Sequence, residues 1–463
     1  MLHNKVLSMD SSKRKFLALS GMTIASSLYG SKNTNNTKEK SAEKSKKAAI
    51  PDTANPKVVV LGGGWSGLSI AKTVKIFSPQ ADVVLVERRY EFISCPVSNL
   101  WLVDEVKLEY ITHDYLQAAR NYNYTYFNAT ATGVDKKNRI LKTSEGDIAF
   151  DYLVLSPGID YDYSRWTTDT ALITRLKQEY PAGFIPGSEH MTLKNKIHNF
   201  KEGNFILTVP GGNYRCLPAP YERACVIADY FKQKKLKAKV ILLDENNAIT
   251  IKKKGFTTAF NELYADYIEY IPNSVIQNID LDKKVVSTEF DEFTFADAAF
   301  YPRIRGAKIL ETMGFAKDAK DMMEGHINSI TYEVIGEKNI FIAGDARPMG
   351  FSKSGNTSNT EGKYVGNLIA RRINKEKAPT WEPPITLCFS AISTKPFNAI
   401  YIYTQYAFDK KDKNVKNVKF IDWQKFSFFD TLSSEDWKKK GTVNANSIYS
   451  WADALYFDMF GAK

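Results

Sequence analysis

The stretch "KVVVLGGGWSGLSIAKTVKIFSPQADVVLVERR" (residues 57–89) decides the fold of this chain. An apolar run predicts a buried strand, three glycines follow in the order G-x-G-x-x-G, and a helical pattern leads to a second strand that ends at Glu87. Gly62 permits a tight turn, Gly64 lets the backbone approach a pyrophosphate, and Gly67 lets helix and strand pack closely. Glu87 can accept hydrogen bonds from a ribose, and the helix N-terminus stabilises phosphate charge. The stretch therefore predicts a βαβ unit that binds a dinucleotide.

Two later segments indicate that the dinucleotide is FAD. "FDYLVLSPGI" (residues 150–159) predicts a strand that ends in a tight turn, and "KNIFIAGDARPMGFSKSGNTSNTEGKYVGNLIA" (residues 338–370) predicts a strand, a turn and a helix. In FAD enzymes of the glutathione-reductase type, an aspartate placed like Asp345 binds the ribityl chain, and the next helix directs its positive end at the flavin. An ordinary turn role is the alternative for Asp345. We assign to the cofactor site these residues of the two turns: Gly158, Gly344, Asp345 and Ser354.

The middle of the chain predicts a second nucleotide-binding-type domain that has lost its nucleotide. Residues 171–285 alternate strand and helix patterns. The loop after the first of these strands reads "PGGNY" (residues 210–214) rather than G-x-G-x-x-G. Arg215, Cys216 and prolines then stand where a phosphate would need free backbone amides. We therefore expect no NAD(P)H site here and an electron donor of another kind.

The predicted fold class is α/β, with two doubly wound dinucleotide-binding-type domains of the glutathione-reductase kind and a C-terminal α+β domain. The C-terminal part alternates strand-like segments such as "NVKFIDW" (residues 417–423) with charged turns, and we expect it to cover the flavin and to shape a partner surface. The predicted domain order is an export signal (1–30), a disordered linker (31–56), the first part of the FAD domain (57–170), the second domain (171–285), the second part of the FAD domain (286–385) and the C-terminal domain (386–463).

The N-terminal residues predict export to the periplasm. A basic stretch precedes a mildly apolar run that is too short and too rich in Ser, Gly and Thr to span a membrane. "SKRKFL" (residues 12–17) resembles a twin-arginine signal with Lys in place of the first Arg; a general secretory signal and a cytoplasmic protein are the alternatives. The formal net charge is +11, but no basic stripe is interleaved with base-stacking aromatics, so we do not expect nucleic acid as a partner.

The chain contains four cysteines, at positions 95, 216, 225 and 388. None has C-x-x-C spacing and C-x-x-C-H is absent, so we expect no zinc site, no iron–sulfur cluster and no covalent haem on this chain. Cys216 lies in a proline-rich loop before a predicted helix, where thiolate chemistry is easily tuned. Spacing leaves open whether Cys216 and Cys388 pair, and whether such a disulfide would be structural or redox-active. Cys225 lies among apolar neighbours on the predicted helix, which favours core packing.

Several segments together resemble the flavoprotein subunit of flavocytochrome c sulfide dehydrogenase, a relative of the sulfide:quinone oxidoreductases. The resemblance runs from about Lys57 to near the C-terminus. In that family, the cysteine of a T-C-x-x-S-N segment forms a thioether to the flavin 8α-methyl group, and this chain has Ser94-Cys95-Pro96-Val97-Ser98-Asn99 there. The resemblance therefore implies covalent FAD on Cys95. The segments that carry it are "VVVLGGGWSGLSIAK", "SCPVSN", "YRCLPAPYERA", "GDARPMGFSKSGNTSNTEGK", "TLCFS" and "SIYSWADALYFDMFG".

The resemblance also implies a reaction and a partner. The family's redox disulfide corresponds to Cys216 and Cys388, which hydrosulfide would open to a persulfide on the way to zero-valent sulfur or polysulfide. Glu222 corresponds to the proton acceptor, with a helix-start carboxylate as the equal alternative. Electrons would pass to a separate c-type cytochrome subunit in a heterodimer.

Three other functions are alternatives. A sulfide:quinone oxidoreductase would use the apolar C-terminal segment to dock on a membrane, although that segment lacks a basic face. An accessory flavoprotein of a sulfur-oxidising assembly remains open. An NADH-dependent disulfide reductase is disfavoured because it needs a nucleotide loop in the middle domain and a close cysteine pair. Trp451 in the terminal aromatic cluster is expected to pack in the core, with a place near the flavin as the alternative.

Overall fold

A computed structural model describes residues 46–318, 322–407 and 427–462. The predicted export signal, most of the predicted linker and the "NVKFIDW" segment lie outside these residues. Within the described part of the chain, no helix is both long enough and apolar enough to cross a membrane.

The strands, in chain order, are β1 Lys57–Leu61, β2 Asp82–Glu87, β3 Glu91–Ile93, β4 Thr112–Asp114, β5 Thr125–Asn128, β6 Ala131–Asp135, β7 Ile140–Thr143, β8 Ile148–Ala149, β9 Tyr152–Leu155, β10 Ile159–Asp162, β11 Glu202–Val209, β12 Lys237–Asp244, β13 Ile268–Ile271, β14 Ile276–Asp280, β15 Val285–Thr288, β16 Glu292–Thr294, β17 Asp297–Ala299, β18 Arg303–Gly306, β19 Ile340–Ile342, β20 Ile385–Thr394, β21 Phe397–Ala407 and β22 Ser427–Ser434. The helices are α1 Trp65–Phe77, α2 Ser98–Leu102, α3 Leu108–Ile111, α4 Tyr115–Tyr122, α5 Thr170–Glu179, α6 Ser188–Asn199, α7 Ala219–Gln233, α8 Lys253–Leu263, α9 Lys308–Thr312, α10 Gly355–Ile373 and α11 Trp437–Phe460.

The first sheet is parallel and has the strand order β19-β9-β1-β2-β5. Its central strand β1 is buried along its whole length, as expected for a continuous apolar run covered on both faces. Val60 of β1 lies opposite Leu85 of β2 on one side and Val154 of β9 on the other. Because all five strands run the same way, the loops after β1, β2, β9 and β19 meet at one edge of the sheet.

The second sheet is also parallel, in the order β13-β12-β11-β17, and it confirms the predicted fold class. β11 and β12 pair along their full length, from Glu202 opposite Lys237 to Val209 opposite Asp244. β17 pairs with the other edge of β11, so the strand pairing of this sheet continues to Ala299. The second domain was expected to end at residue 285. The domain extends to Ala299 instead, because β14, β15 and β16 form a small antiparallel sheet that leads the chain back to β17.

A third layer contains the antiparallel sheet β20-β21-β22 and the long helix α11. The terminal aromatic segment of the sequence lies on α11, where the Phe460 ring stacks on His113 at 4.6 Å between centroids. Asp458 anchors this helix, since its carboxylate accepts from Lys72 Nζ at 2.6 Å and from Asn359 Nδ2 at 2.9 Å. α11 is thereby fixed to both α1 and α10.

The Gly67→Ala substitution should lower the free energy of unfolding by about 3 kcal/mol, because overpacking at a rigid contact forces backbone movement. A Cβ at Gly67 would lie 1.9 Å from the Gly62 carbonyl oxygen. Gly64→Ala is the matched control, since a Cβ there meets no atom within 4 Å. Urea denaturation of both variants checks this, and equal losses would contradict the packing role of Gly67.

Candidate active site

A cleft with a volume of about 310 Å³ opens at the carboxyl ends of β1, β2, β9 and β19. We call it the dinucleotide cleft. Gly67 lies beneath it and contacts the Gly62 backbone, as its predicted packing role requires. Six of the predicted cofactor residues line the cleft: Gly62, Gly64, Glu87, Gly158, Gly344 and Asp345.

Glu87 is held in the cleft by backbone amides. The Gly63 amide donates to Oε2 at 2.8 Å, and the Arg89 amide donates to Oε1 at 2.9 Å. Gly62 adopts φ +99°, a conformation that favours glycine, at the turn out of β1. A Cβ on Gly62 would lie 2.3 Å from the Ser156 carbonyl oxygen, so the turn also needs glycine for space.

The residues of the dinucleotide cleft fit a dinucleotide. The hydroxyls of Ser66 and Ser156 line the cleft, are buried, and have no hydrogen-bond partner among the described residues. Such groups cost free energy unless a ligand or water satisfies them. Gly64 leaves open space at the start of α1, where helix amides and the helix dipole favour an anion. Ser66 was not among the predicted site residues.

Asp345 lies in a 3₁₀ turn, Gly344–Ala346, that follows β19. Its Oδ1 accepts from the Ser358 hydroxyl at 3.2 Å, and its Oδ2 lies 3.1 Å from Arg215 Nε. These contacts direct the carboxylate into the cleft beside the start of α10. The contact of Asp345 with the ribityl chain stays a prediction, and the structure adds a cation, Arg215, that the sequence did not indicate.

A second cavity brings together three of the four cysteines, and we call it the thiol cavity. Cys95 comes from the loop after β3, Cys216 from the loop before α7, and Cys388 from β20. Glu222 reaches it from the first turn of α7, and Ser354 lines it as the N-cap of α10. Ser354 therefore lies on the thiol side rather than in the dinucleotide cleft.

Arg215 lines both cavities. Its Nη2 donates to the Cys95 sulfur at 3.0 Å, its Nη1 donates to the Phe184 carbonyl oxygen at 2.8 Å, and its Nε pairs with Asp345. Burial raises the pKa of the Cys95 thiol, and the Arg215 charge opposes that shift. A single guanidinium thus joins the predicted tether cysteine to the predicted ribityl-binding aspartate.

Cys216 and Cys388 are free thiols in this structure, and their sulfurs form a hydrogen bond. The hydrogen bond from Cys216, the Lys252 charge and the Ser390 hydroxyl together lower the pKa of Cys388 to about 6 against the effect of burial. The same hydrogen bond and burial raise the pKa of Cys216 well above its ordinary value. These opposite shifts favour Cys388 over Cys216 as the thiol that ionises first. No S–S bond is present, so the redox disulfide stays a prediction.

Glu222 is buried beside the two thiols. Its Oε1 accepts from the Ala391 amide at 3.0 Å and its Oε2 from Asn99 Nδ2 at 3.1 Å. Burial, and then the Cys388 charge, raise the pKa of Glu222 to about 7. A carboxyl group with a pKa near the working pH can both take up and release a proton. Glu222 lies in the first helical turn, as both of its interpretations require, and its surroundings favour the proton acceptor.

Cys225 is fully buried on α7 and packs in the hydrophobic core, as predicted. Trp451 lines the thiol cavity, with its ring 5.7 Å from that of Phe389 and its indole nitrogen buried without a partner among the described residues. Trp451 also packs against the hydrophobic core, as expected, and its place near the flavin stays a prediction.

The thiol cavity contains polar residues that the sequence did not single out: Asn99, His190, Arg215 and Arg223. Arg223 donates from Nε to Asn99 Oδ1 at 3.1 Å and so orients the amide that binds Glu222. Burial lowers the pKa of His190 to about 3, so this imidazole is neutral. Asn99 belongs to the quoted "SCPVSN" segment, but its contact spans 123 positions of the chain and carries no local signal.

Comparison with known proteins identifies a family. The family model described as "Sulfide dehydrogenase [flavocytochrome c] flavoprotein chain, central" matches residues 190–300. The "Sulfide dehydrogenase [flavocytochrome c] flavoprotein chain" of Chlorobaculum thiosulfatiphilum is 46% identical over 43 residues, which cover 9% of this chain and 90% of that one. The chain belongs to this family. The resemblance inferred from the sequence is confirmed, and this flavocytochrome c family is one of flavoproteins.

This chain is also similar to sulfide:quinone oxidoreductases. The mitochondrial protein of Schizosaccharomyces pombe is 23% identical over 210 residues, covering 40% of this chain and 43% of that one. The Dictyostelium discoideum protein is 26% identical over 202 residues, covering 42% of each chain. The chain therefore spans about two fifths of the length of these curated relatives. The solved sulfide:quinone oxidoreductase of Aquifex aeolicus has a TM-score of 0.67 at 16% identity, over 88% of this chain and 92% of that one, which shows the shared fold.

The Glu222→Gln substitution should flatten the pH dependence of stability. The fold raises the pKa of Glu222 from 4.5 to about 7, so the protonated form is favoured. The contribution of Glu222 to the free energy of unfolding is fully present below pH 4.5. It is lost as the pH rises through 7, which lowers the free energy of unfolding by about 3 kcal/mol. Urea denaturation of the reduced protein at the two ends of this window should show that loss in the parent chain and not in Glu222→Gln.

Glu145→Gln, which changes an exposed carboxylate, is the control and should retain the loss. If the parent chain and Glu222→Gln differ by the same amount at both pH values, Glu222 ionises as an exposed carboxylate does.

Proposed function

We propose that this protein is an exported FAD-dependent sulfide dehydrogenase. It oxidises sulfide to zero-valent sulfur or polysulfide and passes the electrons to a c-type cytochrome subunit in the periplasm. The observation that carries the proposal is the convergence of Cys95, Cys216, Cys388 and Glu222 in one cavity next to the dinucleotide cleft. Membership of the flavocytochrome c family supports the substrate and the acceptor.

The dinucleotide cleft would hold FAD. The open backbone at Gly64 and the start of α1 would bind the pyrophosphate, Glu87 the ribose, and Asp345 the ribityl chain. The Ser66 and Ser156 hydroxyls would gain the partners that they lack. FAD, when bound, takes up electrons in pairs and can release them singly.

The thiol cavity suits hydrosulfide. Arg215 and Lys252 place positive charge beside the cysteines, which favours an anionic substrate. In the oxidised pair, hydrosulfide would attack one sulfur of the Cys216–Cys388 bond, forming an S–S bond to the substrate while the other sulfur leaves as a thiolate. Glu222 would take the proton of the new persulfide, and a second hydrosulfide would displace the outer sulfur as a polysulfide anion, leaving both cysteines reduced. Their electron pair would pass to FAD held in the dinucleotide cleft, which would restore the Cys216–Cys388 bond.

Replacing Cys388 by Ser should lower sulfide-dependent cytochrome c reduction by about 100-fold or more, because the chain can then form no Cys216–Cys388 bond. Cys225→Ala is the matched control and should stay within about twofold, since Cys225 packs in the core away from the cavity. The measurement is the absorbance of reduced cytochrome with the FAD-loaded protein, after subtraction of direct reduction by sulfide.

The same assay separates the competing functions. Reduction of a soluble quinone in place of cytochrome would instead support a sulfide:quinone oxidoreductase, which the similarity to that group keeps as the second candidate. Stimulation of other sulfur-oxidising components without turnover would indicate an accessory flavoprotein.

We further propose that Cys95 is joined to FAD by a thioether. The Arg215 guanidinium, 3.0 Å from the Cys95 sulfur, favours the thiolate that such a bond requires. Intact-mass analysis of the acid-denatured protein, with tryptic mapping, should find FAD on the Cys95 peptide. Cys95→Ser should release all FAD, and Arg215→Met should lower the covalent fraction. Free release of FAD from the parent chain would disprove the tether.

A further inference from the structure

Lys252 is a buried lysine in a run whose other members face solvent. It is 3% exposed, whereas Lys253 and Lys254 are exposed on the first turn of α8. Its backbone has φ +52°, a left-handed conformation that is uncommon outside glycine. Burying an ammonium group without a partner is costly, so the fold must compensate its charge.

The Lys252 ammonium is held at the strand that carries Cys388. Its Nζ donates to the Cys388 carbonyl oxygen at 2.9 Å and to the Ser390 hydroxyl at 2.8 Å. Both acceptors are neutral and leave the positive charge uncompensated. The ammonium charge lowers the pKa of the Cys388 thiol and that of the neighbouring Glu222 carboxyl. Cys388 and Glu222 are the groups of the thiol cavity that can supply the compensating negative charge, and Lys252 is bonded to the residue that carries the first of them.

Four elements place polar or charged groups against the Cys388 sulfur. Cys216 comes from the loop before α7, Glu222 from α7, Lys252 from the start of α8, and Ser390 from β20 itself. Among these four groups, Lys252 alone carries a positive charge. The other titratable residues that line the thiol cavity come from elsewhere in the fold. They lie in the loops before α2, α7 and α10 and on helices α6 and α7: Cys95, Arg215, Lys353, His190 and Arg223.

We propose that Lys252 is a positioning residue that holds negative charge on the Cys388 sulfur, both as the thiolate of the reduced pair and as the anion of a persulfide on that atom. Deprotonation of the Cys388 thiol leaves the electron pair on sulfur, and the proton passes to Glu222 or to solvent. The role in turnover rests on the proposed function. The charge on Cys388 is a property of the reduced protein alone and needs no sulfide or acceptor.

The test is an anaerobic titration of the reduced FAD-loaded protein. Ultraviolet thiolate absorbance is followed against pH, and the same titration of the matching Cys388→Ser protein is subtracted to isolate Cys388. The parent chain should show a midpoint near pH 6. Lys252→Met should move the midpoint upward so that the thiolate-to-thiol ratio at fixed pH falls about tenfold or more.

Three further variants complete the test. Lys252→Gln keeps a donor for the two neutral acceptors but removes the charge, so it should shift the midpoint as Lys252→Met does, even if the methionine variant fails to fold. Lys252→Arg should restore the parent midpoint, and Lys254→Met, on the exposed side of the same helix, should leave it unchanged. A parent-like midpoint in Lys252→Gln would overturn the proposal.

The titration and the turnover assay can fail separately. A shifted midpoint in a protein that does not oxidise sulfide would leave the charge assignment intact and remove the proposed function. An unshifted midpoint in Lys252→Gln, together with sulfide oxidation by the parent enzyme, would overturn the charge assignment and leave the proposed function intact.

Discussion

The close contact between Gly67 and the carbonyl oxygen of Gly62 fixes the approach of α1 to β1, and the rest of the site depends on it. It brings the Ser66 hydroxyl and the open backbone at Gly64 to the same edge as Glu87. A similarly close backbone contact, again at a glycine, occurs where α10 packs against α1. A Cβ at Gly362 would lie 2.6 Å from the Ser66 carbonyl oxygen, so the two helices pack backbone to backbone. The turn that carries Asp345 is thereby held against the first βαβ unit.

The site balances burial against charge. Burial in the thiol cavity opposes the ionisation of every thiol and carboxyl group there. Each group with a proposed role in the reaction has neighbours that favour its ionised form. Arg215 favours the thiolate of Cys95, while Lys252 and the Cys216 thiol favour the thiolate of Cys388. Burial and the Cys388 charge raise the pKa of Glu222 to about 7, although the Ala391 amide, the Lys252 charge and the Asn99 amide oppose that shift.

The sequence allowed the first sheet, the cofactor turns and the cysteines to be predicted because each has a local pattern: glycine spacing, strand–turn–helix order, or a rare residue type. It did not reveal Asn99 or Lys252. Asn99 acts through a partner far along the chain, and Lys252 lies in "KKK" (residues 252–254), which is typical of a solvated surface. The end of the second domain was missed for a similar reason, because β17 joins its sheet through a non-local pairing with β11.

The second sheet repeats the geometry of the first. The Gly211 amide donates to Glu245 Oε2 at 3.0 Å, just as the Gly63 amide donates to Glu87. Here, however, Arg303 Nη2 lies 3.1 Å from the same carboxylate oxygen, and α7 starts with prolines rather than free amides. The acid at the position that corresponds to Glu87 is thus paired with a protein cation.

The walls of the dinucleotide cleft are distant in the chain: its lining runs from Leu61 to Ser358, and the thiol cavity adds Cys388 and Trp451. During synthesis from the N-terminus, the nascent chain therefore presents the glycine loop long before the turn and helix that face it. A complete cleft exists only after α10 has left the ribosome, and the thiols can meet only later still. Loading of a dinucleotide is in this way deferred to a nearly finished polypeptide, and a chain truncated before Ser358 would lack one wall of its own binding site.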